Sequence, residues 1–138
     1  MTTRIVCLSC VLLLAAMVPA VAHHSFAAQY DSNKPVDLKL AITKVEWMNP
    51  HIWVYGDLKD ANGKIEKWEC EGSNPNMLAR RGIKKDVVKV GEHVNVQGFR
   101  AKNGKLVMSI TYIVWPDGRK IFAGSMVPGE GATYGKPE

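Results

Sequence analysis

Hydrophobic and polar positions settle into a period of two at Val36. Val36, Leu38, Leu40 and Ile42 alternate with Asp37, Lys39 and Ala41, which predicts a half-buried strand. The phase then slips, because Val45 and Trp47 fall on odd positions. A β-bulge near Thr43-Lys44 would absorb the slip and bend the strand. Met48-Asn49-Pro50 reads as a turn. A second strand follows from about His51 to Leu58, with Ile52, Val54 and Leu58 facing one way and His51, Trp53, Tyr55 and Asp57 the other. Asp60-Ala61-Asn62-Gly63 makes a hairpin turn, in which Asn-Gly supplies positive φ cheaply. The third strand, Lys64 to Glu71, places Trp68 and Cys70 on one face.

The period then becomes helical for two turns. Ser73 or Asn74 is the cap, Pro75 suits the first turn, and Gly82 closes the helix in the left-handed region. Strand four, His93 to Phe99, turns Val94 and Val96 inward. Asn103-Gly104 makes another hairpin before strand five, Leu106 to Trp115, and Asp117-Gly118 folds back a short Arg119–Phe122 strand. Three strands, a helix and two strands, with a bent first strand, match the element order of an OB-fold. The expected class is therefore all-β, an OB-fold-like five-stranded barrel with one short helix between strands 3 and 4. An open β-sandwich is the alternative.

The two chain ends read differently. Arg4, the apolar run Ile5 to Val18, the helix-breaking Pro19 and Ala20-Val21-Ala22 have the form of a secretory signal peptide at residues 1–22. The apolar run is short for a membrane span, so no span is expected after cleavage. Residues 23–35 form a polar lead-in ending at Pro35, residues 36–124 the domain, and residues 125–138 a Gly- and Pro-rich flexible tail. The expected location is periplasmic or secreted. Cys7 and Cys10 leave with the leader, so Cys70 has no partner for an internal disulfide, and the core must hold the domain. Cys70 itself is expected to be a buried, inert thiol.

Composition narrows the class. The chain has 138 residues, 46% hydrophobic and 22% charged, with a net charge of +5. That is an ordinary globular composition, with too little chain for a large α/β enzyme. The charge is uneven: residues 23–79 carry 6 Lys/Arg and 8 Asp/Glu, whereas residues 80–138 carry 11 and 5. A basic half favours an anionic surface or partner, or is simply a solvated face. Nucleic acid is not expected as a partner outside the cytoplasm. No Ser/His/Asp order, phosphate loop, HExxH or CxxC occurs after residue 22.

The sharpest chemistry is His23 at the expected mature terminus. Its α-amine and ring Nδ1 can chelate one metal, and a further imidazole would complete a T-shaped three-nitrogen set suited to Cu(II). This local chemistry resembles the histidine brace of secreted copper monooxygenases and periplasmic copper carriers. His51 is the favoured second ligand and His24 a support, since a second-position imidazole also binds Cu(II) through the amine and the intervening amide. Cleavage after Ala20 would instead place His23 third, another copper-binding start. The plain alternative is that His23 and His24 are the polar beginning of a secreted protein. Trp53 and Tyr55 form a second feature, an aromatic ligand face beside His51.

His23-His24-Ser25-Phe26-Ala27-Ala28-Gln29-Tyr30-Asp31, the stretch Thr43 to Trp53 with Asn49-Pro50-His51-Ile52-Trp53, Gly98-Phe99-Arg100-Ala101-Lys102 and Asp117-Gly118-Arg119-Lys120 are further signals. Together they resemble an uncharacterised family of small secreted proteins from Gram-negative bacteria, a domain of unknown function, over roughly residues 23–124. The resemblance implies export to the periplasm and supplies no activity or cofactor. The expected function is a periplasmic protein holding copper for binding or delivery, or else a metal-free module. The module would bind a partner protein, glycan or small ligand on the aromatic face.

Overall fold

Antiparallel strands organise the described part of the chain. The computed structural model describes residues 26–125. A single helical turn, α1 at residues 26–29, leads into β1 (Tyr30–Trp47), β2 (Ile52–Lys59) and β3 (Ile65–Glu71). Then come α2 (Pro75–Arg80), β4 (His93–Ala101), β5 (Val107–Val114) and β6 (Lys120–Phe122). The sheet order is β3-β2-β1-β4-β5-β6, and a parallel pairing of β3 with β5 closes the first five strands into a ring. The all-β class therefore holds; the short strand folded back at Asp117-Gly118 is β6, and α1 is a helix beyond the one expected.

β1 makes the ring possible because it serves two neighbours. Its first part pairs with β4 and its last part with β2. The register shift lies between Ile42 and Lys44, where the hydrophobic phase slips. Its start differs from expectation. Residues 30–35, read as lead-in, are strand from Tyr30 onward, and Pro35 sits inside β1 opposite Phe99. Proline is tolerated there because this part of β1 pairs with β4 alone, leaving one edge without a ladder to interrupt.

Inward residues of every ring strand meet in one core: Leu40, Ile42, Val54, Cys70, Val96, Met108 and Ile113 are among those sealed from solvent. Burial pushes the Cys70 thiol far above its ordinary pKa, so it stays neutral. α2 adds Leu78 to this core. Asn74 Oδ1 accepts from the Met77 N–H at 2.7 Å as its N-cap, and Gly82 closes it at φ +76°. The Ile83 N–H then reaches back to the Leu78 carbonyl. Strands pack closely where side chains are absent: a Cβ on Gly98 would lie 1.9 Å from the Ser109 carbonyl oxygen, at a register shift between β4 and β5.

Candidate functional site

The β2–β3 hairpin sets the site. Its turn at Asp60–Lys64 fixes a register in which Trp53 stands opposite Glu71 and Tyr55 opposite Glu69. The ladder continues past the strand ends, where the Ile52 N–H donates to the Ser73 carbonyl and the Gly72 N–H to the Ile52 carbonyl. Gly72 permits this approach, since a Cβ there would meet Ile52 Cγ1 at 2.6 Å. His51, following the cis Asn49–Pro50 peptide, is thereby held against the last residue of β3.

Three polar side chains converge at that point. His51 Nδ1 contacts Glu71 Oε1, and the Tyr30 hydroxyl donates to Glu71 Oε2. Burial first, and then the Glu71 bond, push the Tyr30 phenol far above its usual pKa, so it remains the donor. The His51 side chain is 41% exposed and that of Glu71 is 16%. Among the described residues, Nε2 of His51 has no hydrogen-bond partner.

Tyr30 also ties the start of the described chain to this cluster. Its ring lies 5.5 Å from Phe26, which meets Phe99 edge-on at 5.9 Å. The Lys102 N–H donates to the Gln29 carbonyl and its ammonium to that of Ala27, fastening α1 to the end of β4. Between these elements lies an open cleft of about 640 Å³, lined by residues including Gln29, Tyr30, Trp53, Glu71 and Lys102.

The expected site residues are thus distributed unevenly. His51 and Trp53 come together around Glu71. Tyr55 stacks on Trp53 at 6.5 Å but is turned to other partners, with its hydroxyl donating to Glu46 at 2.8 Å and Lys44 lying over its ring. Burial, then the Glu46 bond, push the Tyr55 phenol up to about 12, while Lys44 and Tyr55 hold Glu46 below the usual carboxylate range. His23 and His24 lie outside the described residues, as do the expected signal peptide and the tail beyond Ser125. Among the described residues no group of three His, Cys, Asp or Glu side chains stands ready to hold a metal. A set built on His51 needs donors from outside that span. None of the described helices is long and apolar enough to cross a membrane.

Sequence reasoning missed Glu71 and Tyr30. Glu71 was readable in principle, because the hairpin turn alone puts it across from Trp53. Tyr30 lay hidden in the supposed lead-in.

A protein-family model described as a family of unknown function, DUF6152, matches residues 11–109. No curated protein and no solved structure matches the chain.

Proposed function

The chain belongs to the DUF6152 family, and from its residues we propose a periplasmic protein that binds or delivers copper. His51 would be one ligand, the amine and ring of His23 would supply the others, and His24 would support them. The carrying observation is the Phe26–Tyr30–Glu71–His51 chain of contacts. Glu71 engages Nδ1 and leaves Nε2 without a partner among the described residues, the arrangement in which a carboxylate orients a metal-bound imidazole. Phe26 is packed beside the Tyr30 end of the same chain of contacts. His23 stands three residues before it, a reach of roughly 10 Å. The donor set is nitrogen-rich with a carboxylate behind it, which fits Cu(II) better than Ca²⁺ or Mg²⁺.

The ring order β1-β2-β3-β5-β4, with α2 between β3 and β4, supports reading the fold as an OB-like barrel. The β2–β3 face is where such barrels commonly hold ligands. The alternative function, a metal-free module for a partner protein, glycan or small ligand, is supported by Trp53 in the cleft wall.

Copper titration of protein recovered from the periplasm separates these readings. His51→Ala and a variant with one extra residue before His23 should each weaken binding by tenfold or more, on the order of one lost ligand. Copper binding that survives His51→Ala unchanged means a flexible peptide start, and the proposal fails. Ligand retention lost in Trp53→Ala without any copper dependence would favour the metal-free module.

A further inference from the structure

Residues 80–125 contain ten Lys or Arg and only three Asp or Glu. Two of those acids are already engaged. Glu92 accepts from the Lys89 N–H at 3.0 Å and from Trp115 Nε1 at 3.1 Å, and the Lys89 bond foremost holds it below the usual carboxylate range. Asp117 faces Arg119. Lys84, Lys85, Lys89 and Lys120 are exposed and form no ion pair among the described residues.

A run of contacts links several of these cations from α2 through β6 to the loop before β4. Arg81 sits 4.5 Å over the Phe122 ring, Phe122 packs 5.6 Å from Tyr112, and the Lys120 ammonium lies 3.9 Å over Tyr112. Next along the turn, Arg119 lies 4.1 Å over Trp115, whose indole is bonded to Glu92. Glu92 in turn closes the loop bearing Lys84, Lys85 and Lys89. At the end of that loop Val90 is 65% exposed, a large apolar side chain beside a lysine.

The geometry points to this edge, from Arg81 through β6 to the Lys84–Val90 loop, as a docking surface for an anionic phospholipid membrane. Charge complementarity supplies the attraction, about fivefold in partitioning for each Lys or Arg near an anionic surface. The half-buried Phe122 and Tyr112 rings among the cations and the bare Val90 favour lipid over an acidic protein. A bilayer interface accepts cations and apolar groups together and demands no fixed hydrogen-bond geometry. The binding is peripheral and does not rest on the copper reading.

Flotation of the exported chain with phosphatidylcholine vesicles, with and without phosphatidylglycerol, tests it. The readout is the ratio of binding to the two vesicle types, which cancels any apolar contribution shared by both. The expected result is a preference for phosphatidylglycerol that collapses at high salt. Lys84→Gln with Lys85→Gln should reduce it about 25-fold. Val90→Ser should lower binding without changing the salt dependence. Lys64→Gln with Lys67→Gln, the same charge change elsewhere, should leave the ratio unaltered. No preference for phosphatidylglycerol, or equal loss in both double variants, overturns the proposal. Retention by soluble polyglutamate without vesicle binding would also overturn it, in favour of an acidic protein partner.

Discussion

Among the described residues before residue 80, several acids are met by a cation or an imidazole, whereas after it most cations lie over rings or in solvent. In the first region Lys34 meets Asp31, Lys44 meets Glu46 and His51 meets Glu71. In the second, cations lie over Phe122, Trp115, Tyr112 and, from Arg100, Trp68. Along the β1–β4 seam between them, Asn95 and Gln97 of β4 each donate at 2.8 Å to the Asp37 carboxylate of β1. The contrast separates two uses of charge. A carboxylate flanked by a phenol and an imidazole fixes geometry, as a ligand site requires. A row of cations on ring faces sets a potential while leaving each head group able to move.

The joint between the regions is the place to break the comparison hardest. β4 pairs with β1 on one side and β5 on the other, and at Gly98 β5 leaves no room for a Cβ. Gly98→Ala forces its methyl into the Ser109 carbonyl and against Met108, with backbone rather than a flexible chain end in the way. The expected loss is about 3 kcal/mol in urea unfolding. A loss below about 1 kcal/mol would mean that the two strands are not so tightly joined.

The next effect is confined to the first region. Glu71→Gln keeps an acceptor for Tyr30 but removes the charge behind His51. On the proposed copper reading, affinity should fall roughly 10- to 100-fold with the fold intact. Lys120→Gln, in the second region, should leave copper affinity unchanged. Equal effects from both changes would show that overall charge, and not the His51–Glu71 contact, governs binding.

This contrast also explains how much was legible in advance. Strands, hairpins and the bulge after Ile42 depend on neighbours in sequence, so alternation and Asn-Gly pairs were enough to find them. The imbalance of charge needed only counting. The Tyr30–Glu71 bond spans 41 residues and required β1 to begin ahead of Pro35. Pro35 misled because proline usually ends a strand, and the free edge that excuses it depends on which stretch of β1 each neighbour takes. The tie between Phe26 and that bond was invisible for the same reason.

Alkaline pH sharpens the comparison by about 1 kcal/mol. Folding raises the Tyr30 pKa above the ordinary phenol value of about 10, so the folded state favours the protonated form. Its stabilisation is complete below pH 10 and is lost as pH rises from there toward the folded-state pKa. The Tyr30 contribution should therefore be level up to about pH 9 and lower by roughly 1 kcal/mol near pH 11. The buried Cys70 thiol, also raised, adds its own decline from about pH 9, and Tyr30→Phe should remove only the Tyr30 part. Tyr55, raised to about 12 and less buried, contributes a smaller part between about pH 10 and 12. A decline unaltered in Tyr30→Phe would show that the Tyr30–Glu71 bond is not a source of the alkaline weakness.

The smallest effect belongs to the cations over rings. Lys120→Gln removes an ammonium 3.9 Å from the Tyr112 ring, worth about 0.5 kcal/mol at an exposed position. It also relieves repulsion from Arg119 and the other cations along that edge, which offsets part of the loss. Added salt should shrink the repulsion more than the ring contact, because the contact is short and the repulsion acts across solvent. The variant should thus be nearly neutral at low salt and more clearly destabilised at high salt. The opposite salt dependence would mean that these cations are held by ion pairs after all. The second region would then use its charge as the first does.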